Sequence, residues 1–270
     1  FLEEMQARCG AKLDAQPWLA RREGNARQLD SVQIPDSFDS RTQWPNCVHP
    51  IRNQASCGSC YAFGASEAFS DRLCIATKGK TNQVLSPQDI VSCDSLDNGC
   101  GGGFLLYAWD FMAFNGLTTD KCMPYTAGSG TVDACSAACA DGSQAKLYYI
   151  DNSTITYFGS EQDMQRAIMT DGPIEAAFNV YSDFMNYKSG RIQILTFTTF
   201  CSLILCAYAR MRLIANEHKN TIIHTTSCIC TIIGVYVPDV STGMIGGHAI
   251  KIIGWGVDKQ SSLPYWIVAK

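Results

Sequence analysis

Apolar and polar positions follow a helical pattern in the first two thirds of the chain and a strand pattern later. Phe63, Ala68 and Ile75 recur near helical spacing, and Gly79 follows them. Ser86 before Pro87 is a typical helix start. The predicted helices are 60–76, one beginning after Ser86, 104–115 and 160–170; the predicted strands are 174–180, 248–255 and 265–269. Helices first and strands later indicate an α+β protein with two subdomains.

Residues 191–233 follow neither pattern. They contain long apolar, β-branched runs with four cysteines and few charges. The first run, 192–208, is only about 17 residues long and contains Thr, Ser and Cys, so it is short and weak for a membrane-spanning helix. Three interpretations stay open at this point: a membrane span, a β-rich insert, or a segment that reflects the structure of the gene.

Composition narrows the class of protein. With 46% hydrophobic and 17% charged residues among 270, the chain has material for a core and is not disordered. A net charge of −4 predicts neither a nucleic-acid partner nor an anionic membrane surface. The 14 cysteines exceed what the reducing cytosol usually tolerates, which predicts disulfides in a secreted or lysosomal protein, or metal ligands.

The strongest motif is the ten-residue run 54–63, which contains Cys57-Gly58-Ser59-Cys60. The two cysteines have three alternative interpretations: half of a zinc site, a dithiol redox pair, or two ordinary disulfide cysteines. No second pair of metal ligands follows at zinc-finger spacing, and the βαβ context of dithiol enzymes is absent. The remaining interpretation is a thiol nucleophile at the start of a helix, where the positive end of the helix dipole favours the thiolate.

A nucleophilic cysteine needs a base, and the chain has four histidines. His218 and His224 lie in the anomalous stretch. His49 stands in a turn next to Pro50, and we expect it to be solvated. His248 begins a strand-like run after two glycines, and we predict that it is the base.

These motifs together resemble papain-like cysteine proteases, and within them the cathepsin B subfamily, over residues 5–190 and 234–269. The resemblance is carried by 54–63, 100–104, 181–184, 187–190, 246–250, 254–256 and 264–269. It implies the papain-like α+β fold, with a helical subdomain that carries the nucleophile helix and a second, β-barrel-like subdomain. The local signature, with tyrosine as its last residue, is Cys57–Tyr61.

The resemblance implies a role for each matching residue. Cys60 is the nucleophile, His248 the general base and acid, and Gln54 forms the oxyanion hole with the Cys60 backbone N–H. No cofactor or metal is implied. The expected substrate-binding residues are Cys57 and Gly58 at the primary pocket, Gly102 and Gly103 along the extended substrate, and Phe104 and Ala177 at the second pocket.

The same resemblance assigns the cysteines. Cys60 stays reduced and Cys9 belongs to the pro-segment, while the four cysteines of residues 191–233 fall outside the family pattern. The disulfides it implies are Cys47–Cys74, Cys57–Cys100, Cys93–Cys135 and Cys122–Cys139. Asn152 begins an Asn-Ser-Thr glycosylation sequon.

The separation of Cys60 and His248 along the chain suggests an interpretation of residues 191–233. Cys60 and His248 are 188 residues apart, and removing 44 residues brings the separation to 144, within the family's range of about 130–150. Gly190 and Gly234 border the stretch, and we interpret it as a translated, unspliced intron.

Lys270 stands where relatives have an asparagine that orients the imidazole. We expect the sequence, which begins at Phe1, to be incomplete at both ends, and an impaired or inactive product is the alternative reading.

The expected domains are the end of a propeptide over 1–33, cleaved between Asp30 and Ile34, and an incomplete peptidase domain over 34–270. Because the chain lacks the His-His pair of cathepsin B, we predict an endopeptidase rather than a carboxydipeptidase. Expected partners are protein or peptide substrates, the chain's own propeptide as inhibitor and cystatin-like inhibitors, and we expect a monomer. The expected location is a lysosome or other acidic vacuole, or outside the cell. A disulfide-rich binding module is the third alternative.

Overall fold

The computed structural model describes residues 2–13, 33–158, 160–192, 232–236 and 238–269. The α-helices are α1 (Leu2–Arg8), α2 (Ser40–Gln43), α3 (Cys60–Ala76), α4 (Pro87–Cys93), α5 (Leu105–Phe114) and α6 (Glu161–Asp171). The strands are β1 (Phe38–Asp39), β2 (Ile174–Tyr181), β3 (Tyr187–Ile192), β4 (Ile232–Tyr236), β5 (Met244–Val257) and β6 (Pro264–Ala269). The α+β prediction is confirmed.

Helix α3 is the centre of the helical part of the molecule. It is buried from Cys60 to Cys74 and packs against α4 and α5, with Phe69, Leu73 and Trp109 in one apolar core. Ser86 caps α4 as predicted, because its Oγ accepts a hydrogen bond of 3.1 Å from the Asp89 N–H. A helix buried all round gains its stability from packing rather than from an amphipathic surface.

The second part is a six-stranded sheet in the order β1-β5-β6-β3-β4, with β2 paired to β5. Helix α6 covers it, capped by Ser160 and burying Met164 and Ile168 in a second apolar core with strands β2 and β5. Strand β5 begins at Met244, four residues before the predicted start. Gly246 and Gly247, which precede the predicted start, pair with β2 and extend the strand.

Most of the anomalous stretch lies outside the described residues, and with it the runs considered for a membrane span. Within the ranges given above, no helix is long and apolar enough to cross a membrane. The borders of the stretch lie in β3 and β4, which pair in parallel with Gly190 opposite Gly234. The intron interpretation stays a prediction, and sequencing of the spliced transcript tests it.

Candidate active site

Cys60 is the first residue of α3 and its side chain is fully buried. The residue before it, Ser59, is fixed from outside the helix: its Oγ lies 2.8 Å from the hydroxyl of Tyr125. The first residue of a helix lies at the positive end of the helix dipole. Cys60 thus lies at the helix start that the sequence predicted, and its role as the nucleophile stays a prediction.

His248 lies in β5 opposite Phe178 of β2, and the two rings meet edge to face with centroids 6.1 Å apart. Ala249, the next residue, belongs to the same apolar core as Cys60 and Ala177. The helix that carries the thiol and the strand that carries the imidazole are therefore packed against each other. Ala177 is buried in this interface opposite Ala249.

Residues Cys9–Leu13, which we call the cleft segment, run between these two elements. The Ala11 N–H donates to the Gly247 carbonyl at 3.0 Å, next to His248. On the other side Gly10 lies against Gly58, so closely that a side chain on Gly10 would overlap the Gly58 carbonyl. The cleft between Cys60 and His248 is thus filled by the chain itself. Ala11, at the middle of the segment, is only 6% exposed.

The side-chain amide of Gln54 contacts Arg8, the residue just before the cleft segment. Its Nε2 donates hydrogen bonds to the carbonyls of Cys57, at 2.7 Å, and of Arg8, at 3.0 Å. The second bond matters chemically, because an oxyanion-hole donor must reach a carbonyl oxygen of the chain in the cleft. In this structure the carbonyl that Gln54 reaches belongs to Arg8, directly before the cleft segment.

Five of the six predicted substrate-binding residues lie together on one wall of the cleft, and Ala177 lies in β2 instead; the five are Cys57, Gly58, Gly102, Gly103 and Phe104. Gly58 donates its N–H to the Cys100 carbonyl at 3.0 Å, beside the Cys57–Cys100 disulfide. Gly102 has a φ of +92°, which favours glycine. Gly103 exchanges backbone hydrogen bonds with the cleft segment: its N–H donates to Gly10 at 2.8 Å, and its carbonyl accepts from Lys12 at 2.9 Å. This wall can pair with an extended polypeptide.

The eight cysteines expected in disulfides are joined in the four predicted pairs. These are Cys47–Cys74, Cys57–Cys100, Cys93–Cys135 and Cys122–Cys139. Cys9 and Cys60 are the described cysteines outside disulfides. Burial and, less strongly, the charge of Cys60 raise the pKa of the Cys9 thiol to about 12. Cys9 therefore stays protonated at neutral pH.

Asn152 begins a single 3₁₀ turn and is half-buried, with the exposed Ser153 after it. Its use as a glycosylation site stays a prediction. Among the residues whose positions are given, no group of three or more His, Cys, Asp or Glu side chains could hold a metal ion.

Comparison with known proteins agrees with this geometry. The family model "Papain family cysteine protease" matches residues 34–204. The chain belongs to the papain family of cysteine proteases. It is 34% identical to Cathepsin B-like CP3 of Giardia intestinalis over 241 residues, which cover 89% of this chain and 65% of that protein. It is also 34% identical to Cathepsin B-like cysteine proteinase 4 of Caenorhabditis elegans, covering 89% of this chain and 67% of that protein.

Solved structures show the same fold. Procathepsin B S9 from Trypanosoma congolense superposes with a TM-score of 0.71 at 23% identity, covering all of this chain and 77% of that one. The proform of the ragweed allergen Amb a 11 gives a TM-score of 0.64 at 19% identity, with 99% and 66% coverage. This chain thus spans about two thirds of the length of the cathepsin B-like proteins it resembles.

Three buried polar residues join the two halves of this papain-family protease. Asp71 of α3 accepts from Lys251 of β5 at 2.7 Å and contacts His49 Nδ1 at 2.7 Å. The expectation that His49 is solvated was wrong, since His49 is 4% exposed. Burial would raise the pKa of Asp71, but attraction to Lys251 and hydrogen bonds from both partners outweigh it and hold the pKa below its ordinary value. The cluster ties the nucleophile helix to the histidine strand.

Two further residues that support the cleft were not singled out from the sequence. The Tyr125 hydroxyl donates to the Gln54 carbonyl at 2.9 Å and so holds both Gln54 and Ser59. Asp97 accepts a hydrogen bond of 2.8 Å from the Phe104 N–H, beneath the wall that pairs with the cleft segment. Both lie in polar loops, where a Tyr or an Asp carries no spacing signal that predicts such a role.

Proposed function

We propose that this chain is a cysteine endopeptidase, made as a zymogen, that cleaves peptide bonds with Cys60 and His248. One observation carries the proposal. The cleft between the two residues already holds an extended stretch of polypeptide, whose backbone pairs with Gly103 and Gly247. Gln54 contacts Arg8, the residue just before this stretch. A groove that reads backbone groups in this way suits a protein substrate.

The proposed reaction has two halves. The Cys60 thiolate attacks the scissile carbonyl, and Gln54 and the Cys60 backbone N–H stabilise the oxyanion. His248 then donates its proton to the leaving amine, the C–N bond breaks and a thioester forms. Water attacks the thioester, His248 accepts a proton from it, and the acid product leaves while the thiolate is restored.

Product mapping tests the endopeptidase proposal. A 12-residue peptide with a free C-terminus should yield internal fragments by mass spectrometry, from protein whose first 33 residues have been removed. The loop closed by the Cys122–Cys139 disulfide contains no histidine that could hold a C-terminal carboxylate. Successive loss of C-terminal dipeptides would refute the endopeptidase assignment, and no cleavage would favour the inactive product.

The zymogen proposal rests on the fit of the cleft segment. Replacing Gly10 with Val places a side chain against the Gly58 carbonyl, which should expel the segment. We expect iodoacetamide to alkylate Cys60 about tenfold faster in the Gly10→Val protein. Gln6→Val, an exposed substitution in α1, is the matched control and should leave the rate unchanged. Equal alkylation rates in all three proteins would show that the segment does not block the thiol.

The four disulfides support the proposed location in an oxidising compartment, either an acidic vacuole or outside the cell. Tagging of the protein followed by fractionation tests this, and a purely cytosolic pool would contradict it.

A further inference from the structure

The turn that carries Gln54 has an unfavourable backbone conformation. Ala55, the next residue, has a φ of +51°, in the left-handed region that disfavours residues with a Cβ. The Asn53 side chain accepts a hydrogen bond of 2.8 Å from the Ala55 N–H. The Ala55 methyl lies against Gly128, where an added Cβ would come within 3.1 Å of it. Such a conformation persists only where the surrounding structure holds the backbone in place.

Residues 125–130, which we call the clamp loop, hold this turn. The Tyr125 hydroxyl donates a hydrogen bond of 2.9 Å to the Gln54 carbonyl. The Gly128 carbonyl accepts a hydrogen bond of 2.9 Å from the Ser56 N–H. The clamp loop is therefore bonded to the turn on both sides of the strained residue.

The clamp loop is itself fixed by a buried side chain. Gln88 of α4 is buried, and its Oε1 accepts hydrogen bonds from the N–H groups of Thr126 and Ala127, at 2.9 and 3.0 Å. Its Nε2 donates to Ser92 Oγ at 2.9 Å, so both ends of the amide are bonded. The position of the clamp loop is therefore set by α4.

Tyr125 makes the contact with Gln54, and its own position is fixed at two points. Its ring packs edge to face on Phe63 of α3, with centroids 4.7 Å apart. Its single hydroxyl proton goes to the Gln54 carbonyl, so Ser59 Oγ, 2.8 Å away, donates to Tyr125. A serine before a helix usually caps it. The Ser59 side chain caps no N–H of α3, a helix that lies wholly within the described residues, and its hydroxyl orients Tyr125 instead.

We propose that Tyr125 is a positioning residue for the oxyanion hole: by holding the backbone of Gln54 in its strained turn, it sets where the Gln54 amide meets the oxygen of the reacting carbonyl. The proposal rests on the proposed function, because it assigns a further residue to the same site. Tyr125 acts through Gln54 and not by contact with the reacting atoms. A donor stabilises the oxyanion only at hydrogen-bond distance, so a small shift of the turn weakens it.

Two reagents separate the position of Gln54 from the reactivity of Cys60. A tripeptide aldehyde adds the Cys60 thiol across its C=O group, and the oxygen of the resulting hemithioacetal takes the place of the oxyanion. Iodoacetamide alkylates the same thiol by loss of iodide and forms no oxyanion. In proteins that all carry Gly10→Val, Tyr125→Phe should raise the Ki of the aldehyde about fivefold and change the alkylation rate by less than about twofold. Tyr149→Phe, at an exposed tyrosine, is the matched control and should change neither value.

A double-mutant cycle with Gln54→Ala gives the decisive result. Once the Gln54 amide is absent, Tyr125→Phe should raise the Ki by less than about twofold. A general loss of packing would instead have the same effect in both backgrounds and would also change the alkylation rate. On a peptide substrate, Tyr125→Phe should lower kcat about fivefold and leave KM within about twofold.

An unchanged Ki in Tyr125→Phe, or an equal effect in both backgrounds, would overturn the positioning role. So would a Gly10→Val parent that iodoacetamide alkylates but that binds no aldehyde, because Tyr125 would then have no oxyanion hole to position. If Tyr125→Phe fails to fold, Ser59→Ala removes the bond that orients the hydroxyl. It should raise the Ki about threefold at an unchanged alkylation rate, and an unchanged Ki would overturn the role equally.

The two proposals fail in different ways. A chain that cleaves no peptide but shows the predicted coupling to Gln54 would sink the proposed function and leave the positioning role standing. Cleavage of peptides with a kcat that Tyr125→Phe leaves unchanged would overturn the positioning role and leave the proposed function standing.

Discussion

Replacing Cys60 with Ala should reduce peptide hydrolysis by about a thousandfold or more, when both proteins carry Gly10→Val to open the cleft. The physical reason is that covalent attack is lost, while Gln54 and the cleft still bind the substrate. The measurement is kcat/KM on an internally quenched peptide, with the loss expected in kcat.

Cys9→Ala is the matched control, since it removes the other described cysteine outside disulfides. Its thiol has a pKa raised to about 12 by burial and by Cys60, so it should contribute no nucleophile, and the rate should stay within about twofold. If hydrolysis survives Cys60→Ala, or is abolished by Cys9→Ala, Cys60 is not the nucleophile.

Replacing Lys251 with Met should destabilise the protein by about 3–5 kcal/mol, because it leaves the Asp71 carboxylate buried without its cation. Both side chains are fully buried, so water cannot replace the lost partner. Urea unfolding measures the effect as a lower midpoint. Lys259→Met, at an exposed lysine, is the matched control and should change stability by less than about 0.5 kcal/mol.

The double variant Asp71→Leu/Lys251→Met separates a lost ion pair from lost packing. Removing both charges should recover most of the stability, since a buried ion pair contributes little net energy against apolar residues of similar size. A single Lys251→Met variant as stable as the Lys259→Met control would show that the pair does not hold α3 against β5.

Local signals predicted the elements that carry the chemistry. Helix α3 has the predicted bounds because apolar residues at helical spacing run from Cys60 and end before Gly79. Ser160 fixes the start of α6, and its Oγ accepts from the Asp163 N–H at 3.1 Å. Cys60 and His248 were found from motif and resemblance, and the structure packs their elements together.

Long-range contacts between charged or polar side chains were not predictable from the sequence. His49 was expected to be solvated, yet its partners Asp71 and Lys251 lie 22 and 202 residues away. Asp97 interacts with Lys12, which lies 85 positions earlier in the chain. Partners so distant leave no periodic pattern, so burial of such charges emerges only from the packed fold.

Mapping of a covalent adduct tests the central claim most directly. The native 270-residue chain is treated with a thiol-directed peptidyl epoxide, digested and analysed by mass spectrometry across all 14 cysteines. We predict one adduct, on Cys60, formed faster in Gly10→Val than in the wild type and lost when the protein is unfolded in urea. An adduct on Cys9 would contradict an active site assembled by this fold. So would a rate of Cys60 labelling that is no higher in the folded protein than in the protein unfolded in urea.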